Sequence, residues 1–147
     1  MGTPPASRAY AILLWALTAL FFLRVLGQVL VVLFEARALP PMAEWYSGLL
    51  PYPILLPVQV VMLAVMVWVN RDVARGTGVF AMLRPRVGGF LRAFSYVYFA
   101  GMLLRYVLTM TLHPERRWLH GTIPIVFHWV LAGYLLTLGR YHARAVS

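Results

Sequence analysis

Seven polar side chains with the chemistry to bind a charged or hydrogen-bonding ligand lie within, or at the ends of, long apolar stretches. Arginine supplies a fixed positive charge and several donors, glutamine and threonine supply neutral hydrogen-bonding groups, and histidine and glutamate exchange protons. Polar groups inside a bilayer are energetically costly, so each is a functional candidate by default. The predicted ligand-binding residues are Arg24, Gln28, Glu35, Gln59, Arg105, Thr109 and His128.

Their spacing places several of these residues on shared helix faces. Arg24, Gln28 and Glu35 are separated by four and seven residues, which puts them along one stripe of a helix. A second stripe has spacings of three and four and consists of Tyr98, Gly101, Arg105 and Thr109. If both stripes face inward, two arginines share one nearby glutamate, and an anion or a ligand with strong acceptors would neutralise the remaining charge. In the alternative interpretation, the polar cluster only holds the helices in register.

Four apolar segments are long enough to carry these residues across a bilayer. The chain has 147 residues, 62% of them hydrophobic and 12% charged, which is too few charges to cover a soluble domain. The connections are rich in proline, glycine and charge, and they are short enough to make successive helices antiparallel. We therefore predict an all-α integral membrane protein, a single domain of residues 1–147 built as two tandem αα-hairpins, with spans at 10–34, 50–69, 90–112 and 122–139.

The arginines predict the orientation of these spans. Eight lie at one predicted face of the membrane and three at the other, so the positive-inside rule places both termini in the cytoplasm. The eight are Arg8, Arg71, Arg75, Arg84, Arg86, Arg92, Arg140 and Arg144, and the three are Arg37, Arg116 and Arg117. The expected location is a bacterial cytoplasmic membrane.

The depth of the polar residues follows from helix rise. Arg24 lies eleven residues before Glu35, about 16 Å along a helix, and Arg105 lies eight residues before His113, about 12 Å. Gln59 lies eight residues after Pro51 and His128 seven after Gly121, about 12 Å and 10 Å. All four therefore fall in the outer half of the bilayer, one from each span.

A repeated signature indicates an internal duplication. Trp-x-x-Gly-x-x-Pro occurs at residues 45–51 and 118–124, and each copy follows a helix that carries Leu-Arg, a polar residue one turn later and a glutamate near the exit. We interpret residues 10–69 and 90–139 as repeats, which would be related by an axis along the membrane normal. The alternative is that tryptophan, glycine and proline simply favour interfaces and helix starts.

Several chemistries are excluded or disfavoured. The chain has no cysteine, which excludes thiolate catalysis and Cys-ligated metals. The arginines flank apolar spans, so lipid headgroups rather than nucleic acid are the expected anions. No cofactor is predicted. His128 and His142 have a spacing that could suit two haems, but no other span carries a histidine to bind the opposite side of each haem iron. The loop residues His113, Glu115 and His120 have no diagnostic metal-site spacing. The segment "ARGTGVF" at 74–80 is predicted to be a turn, because it lacks the context of a phosphate loop.

The predicted function is binding of an amphipathic ligand, a lipid phosphate headgroup or a quinone, in an outer-leaflet pocket. One alternative is a non-catalytic accessory subunit of a larger membrane complex, in which other membrane chains or further copies of this chain cover the helices. A second alternative is a small lipid-modifying enzyme that uses His128 as acid–base with Glu35 assisting. It is the weakest of the three, because one histidine with one distant glutamate is a thin catalytic constellation. The motifs point to no particular family.

Overall fold

A computed structural model describes residues 5–35, 37–45, 51–112 and 122–144. Within these ranges the chain is helical and has no strand. The helices are α1 (Pro5–Phe34), α2 (Met42–Trp45), α3 (Tyr52–Arg75), α4 (Pro85–Leu112) and α5 (Thr122–Ala143). All but the short α2 are long and apolar enough to span a membrane, which confirms the predicted all-helical, four-span architecture.

Proline and glycine set the bounds of α3. Pro51 precedes the helix and Pro53 lies in its first turn, where a missing N–H costs no helical hydrogen bond. At the other end Gly76 has φ 67° and ψ 19°, a left-handed conformation that glycine adopts without strain. The Asp72 carboxylate then accepts the Phe80 N–H at 3.2 Å and stabilises the turn. The predicted turn at 74–80 is therefore confirmed from Gly76 onward.

The long helices pack side by side in the order α3, α1, α5, α4. α1 lies against α3 and α5, and α5 lies against α1 and α4, whereas α3 and α4 make no close backbone approach within the described residues. α1 and α5 therefore form the centre, and α3 and α4 are the two outer arms. The four long helices form a bundle that is open between α3 and α4 in the described residues.

This order bears on the predicted duplication. A two-fold axis that relates the repeats would exchange α1 with α4 and α3 with α5. It would therefore turn the contact between α1 and α5 into an equivalent contact between α4 and α3. In the described residues α1 and α5 are in contact, whereas α3 and α4 are not. Most of the second signature, from Trp118 to Gly121, lies outside the described residues. The internal repeat therefore stays a prediction.

The tightest packing lies in the half of the molecule that contains the chain termini. The core there consists of Ala11, Leu14, Met66, Val69, Val73, Tyr134, Leu138 and Tyr141, and it extends along α1 to Phe21 and Val25. A buried polar network ties three helices together beside it. Asn70 donates to the Thr18 hydroxyl at 2.8 Å and accepts from the Tyr134 hydroxyl at 3.0 Å. These paired groups fix α1, α3 and α5 relative to one another below the predicted polar site.

Candidate functional site

A cavity of about 210 Å³ lies between the four long helices. α1 contributes Phe21 and Arg24, and α4 contributes Tyr98. The remaining lining residues come from α3 and α5 and are Leu55, Val58, Gln59, Met62, Phe127, His128 and Leu131. Three residues predicted from the sequence to share a pocket, namely Arg24, Gln59 and His128, therefore lie around one space.

Arg24 is the dominant charge of this cavity. Its side chain is only 6% exposed. One terminal nitrogen donates to the Trp45 carbonyl at a long 3.4 Å, and Cζ lies 5.6 Å from the centroid of the Phe127 ring. The buried Nε has no hydrogen-bond partner, and among the described residues no carboxylate forms an ion pair with this guanidinium. The fold therefore buries a cation that is only partly satisfied.

Two glutamines form a hydrogen-bonded chain beside Arg24. The Gln28 amide, which is fully buried, donates to the Trp45 carbonyl at 3.1 Å, and its oxygen accepts from the Gln59 amide at 3.1 Å. This chain links α2, α1 and α3. The Gln59 carbonyl oxygen is left buried without a donor. The cavity thus presents an unsatisfied acceptor as well as an unsatisfied cation.

Trp45 forms part of the outer cover of the site. Its indole N–H donates to the Pro40 carbonyl at 2.9 Å, and its ring lies directly on Gly27 of α1. A Cβ placed on Gly27 would lie 2.5 Å from the indole, so only glycine permits this approach. Trp45 is the last residue of α2, and its carbonyl accepts from Arg24 and Gln28.

His128 lies in the opposite wall, on α5. Its Nδ1 is 2.7 Å from the Pro124 carbonyl, and since a carbonyl only accepts, Nδ1 must carry a proton. When the imidazole is neutral, Nε2 is therefore the hydrogen-bond acceptor. The ring packs against Tyr98 with centroids 5.8 Å apart, and both Arg24 and Arg105 are close enough to interact electrostatically with it. His128 can therefore accept a hydrogen bond next to two positive charges.

The other predicted site residues do not line the cavity. Glu35 is exposed after the end of α1, with φ 47°. Arg105 and Thr109 instead line a separate shallow groove on the outer half of α4, and the Thr109 hydroxyl donates to the Arg105 carbonyl at 2.9 Å. Glu35 thus does not line the cavity that contains His128.

Sequence reasoning assigned no role in the site to the Trp45 carbonyl or to Phe127. A backbone carbonyl has no sequence signature. The hydrogen bonds that the Trp45 carbonyl accepts from Arg24 and Gln28 therefore could not be predicted, except from the position of Trp45 near a helix end. Phe127 had a weak signal, because it precedes His128 on the same helix. Tyr98 was placed on the polar stripe of α4, and it is the member of that stripe that reaches the cavity.

Some predictions concern residues that the structure does not describe. His113, Glu115 and His120 lie outside the described residues, and the side chain of Glu44 is likewise not described. In the described part of the chain, no three or more histidine, aspartate or glutamate side chains form a group that could hold a metal ion.

Comparison with protein-family models, with curated proteins and with solved structures finds no significant match.

Proposed function

We propose that the protein binds a membrane lipid whose anionic phosphate headgroup occupies the cavity at Arg24. The observation that carries the proposal is the buried guanidinium, which has one long hydrogen bond, an unpartnered Nε and no ion pair with a described carboxylate. A buried charge without compensation is strongly unfavourable, and a phosphate is the geometric complement of a guanidinium.

The remaining polar groups refine the choice of ligand. A quinone would accept hydrogen bonds but would leave the positive charge of Arg24 uncompensated, so the structure favours an anion over this alternative. The unpartnered Gln59 oxygen and the His128 Nε2 both accept, so they favour a headgroup that also carries a hydroxyl donor. A phosphate with a neighbouring hydroxyl, as in a glycerophosphate headgroup, meets both demands.

The size of the cavity limits how much of a lipid it encloses. A cavity of about 210 Å³ can hold a headgroup but is too small to enclose acyl chains as well. The chains would therefore remain outside the cavity, against the exposed apolar faces of the helices. This division suits a protein that binds a lipid at the level of the outer leaflet.

The orientation is part of the proposal. With eight arginines on the side of both termini and three on the other, the termini lie in the cytoplasm and the cavity faces the outer leaflet. On this basis we place the protein in a bacterial cytoplasmic membrane.

Native mass spectrometry of gently solubilised protein tests the proposal. Wild-type protein should retain a co-purifying phospholipid, and Arg24→Gln should lose most of it because the fixed charge is gone. Arg71→Gln is the matched control, since Arg71 is an exposed arginine at the far end of α3 from the cavity. Retention of the same lipid by Arg24→Gln, or a co-purifying neutral quinone, would overturn the assignment of an anionic ligand.

A further inference from the structure

The cavity is closed along three of the four seams between its helices. α1 packs against α3, α5 packs against α1, and α4 packs against α5. The fourth seam, between α3 and α4, has no close backbone approach in the described residues, although both helices contribute to the cavity wall. On the α3 side of this seam Val58 is 42% exposed even though it lines the cavity.

The outer end of the cavity is partly covered. The short α2 packs on both α1 and α5, and Trp45 is buried over Gly27. A ligand that approaches from the aqueous phase above α1 and α5 therefore meets this cover. A ligand that approaches within the membrane plane meets the open seam.

A shallow groove on α4 continues the helix face that carries the cavity residue Tyr98, in the direction away from the chain termini. It is lined by Gly101, Leu104, Arg105, Leu108, Thr109 and Leu112. Gly101 and Arg105 lie three and seven residues beyond Tyr98, so Arg105 is about 10 Å nearer the outer surface than the cavity wall. No described carboxylate pairs with Arg105, and Leu104 and Leu108 beside it are 59% and 47% exposed. The groove thus combines one positive charge with an apolar surface open to the bilayer.

We infer that the α3–α4 seam is the lateral portal through which the lipid enters, and that Arg105 binds its phosphate first and passes it to Arg24. This inference rests on the proposed function and adds the route to it. The acyl chains remain along Leu104 and Leu108 while the headgroup moves inward past Gly101. The positive charges outside and inside the portal keep the phosphate compensated on its way into the protein.

Gly101 gives a direct test of the route. A Cβ on Gly101 would meet no atom within 4 Å, so a side chain can be added there without a clash at Cβ, and a large one would occupy the groove along the inferred route. Gly89 is a matched control, because it is an exposed glycine of the same helix that also has open space around it and lies near the opposite end.

The experiment uses stopped-flow energy transfer from the protein's tryptophans to phosphatidylglycerol that carries a dansyl group on an acyl chain, mixed in phosphate-free detergent. Gly101→Phe should slow association and dissociation by about tenfold or more, because a blocked portal raises the barrier in both directions. Gly89→Phe should match wild type. Arg105→Gln should slow association mainly at low salt, since it removes the first electrostatic attraction. Gly101→Leu serves as the smaller blocking variant, and the melting temperatures of all variants report folding.

The outcomes separate the portal from the binding site. If Gly101→Phe and Gly101→Leu fold and exchange lipid as fast as Gly89→Phe while Arg24→Gln fails to bind, the portal is overturned and the proposed function stands. If wild type does not bind the labelled lipid, or Arg24→Gln binds it as well as wild type does, the proposed function is overturned and the portal with it.

Discussion

At the scale of single residues, Arg24 and Gln28 lie one turn apart on α1 and donate to the same carbonyl, yet their energetic roles differ. Gln28 has both ends of its amide paired, with Trp45 and Gln59. Arg24 has one long hydrogen bond and an unpartnered Nε. A satisfied buried amide stabilises the fold, whereas a buried cation that pairs with no described carboxylate opposes it.

This difference predicts opposite effects on stability without lipid. Arg24→Met should raise the free energy of unfolding by about 1 kcal/mol or more, because a partly satisfied charge is replaced by an apolar side chain of similar length. Gln28→Leu should lower it by about 1–2 kcal/mol, because two interhelical hydrogen bonds are lost. Chemical unfolding of delipidated protein in detergent measures both. A destabilised Arg24→Met would support the alternative that the cluster only holds the helices together.

At the scale of helices, the contact between α4 and α5 depends on two glycines. A Cβ on Gly88 would lie 2.6 Å from the Ala143 nitrogen, and one on Gly139 would lie 2.9 Å from the Arg92 nitrogen. In a membrane, such close backbone approach replaces the hydrophobic effect as a source of helix association. This crossing fixes the end of α4 that lies near the chain termini. The groove lies on the other half of the same helix.

Gly88 and Gly89 are adjacent on α4 and allow two substitutions to be compared directly. Gly88→Ala should destabilise the protein by about 1–3 kcal/mol, since backbone rather than a flexible side chain must move. Gly89→Ala should be neutral or stabilising by up to about 1 kcal/mol, because no atom lies within 4 Å and alanine favours a helix. Thermal unfolding of the two variants in the same detergent distinguishes them. Equal destabilisation would contradict the close crossing.

The helix ends show what the sequence can and cannot predict. The four ends on the outer side, at residues 34, 52, 112 and 122, lie within two residues of the prediction, because proline, glycine and charge mark them clearly. On the other side α3 continues to Arg75 and α4 begins at Pro85, six and five residues beyond the predicted spans. Asn70 and the arginines were assigned to a loop because they are polar, and the Asn70 network was missed for that reason.

From the sequence, the site could be predicted only as sets of residues that share a depth or a helix face. Arg24, Gln59 and His128 were expected together on the basis of depth, and they line one cavity. Spacing along one helix identifies residues on one face, but it does not identify the neighbouring helix that they face. The spacing predicts Arg105 in the same pocket as Arg24, whereas Arg105 lines a separate groove on α4.

At the scale of the whole molecule, the two halves along the membrane normal have different roles. The half with the termini holds the packed core and the paired Asn70 network. The other half holds the cavity, its buried polar atoms without partners and, in the described residues, the gap between α3 and α4. The proposed outer-leaflet site requires the half with the cavity to face away from the cytoplasm.

Single-cysteine labelling tests that orientation, since the chain has no cysteine of its own. Ala38→Cys, in the exposed segment between α1 and α2, should react with a membrane-impermeant maleimide added to intact cells. Thr77→Cys, in the exposed turn between α3 and α4, should react only after permeabilisation, because the arginine-rich face is cytoplasmic. The reverse pattern would place the cavity in the inner leaflet.

The central claim is that an anionic headgroup contacts the cavity around Arg24, and photo-crosslinking tests it most directly. Protein in bilayers would be irradiated with phosphatidylglycerol that carries a diazirine on its headgroup, and the labelled residues would be identified by peptide mass spectrometry. We predict adducts at cavity residues such as Gln59, Phe127 and His128 in wild type, and their loss in Arg24→Gln. Adducts confined to the exposed arginines near the termini, or unchanged cavity labelling in Arg24→Gln, would contradict it.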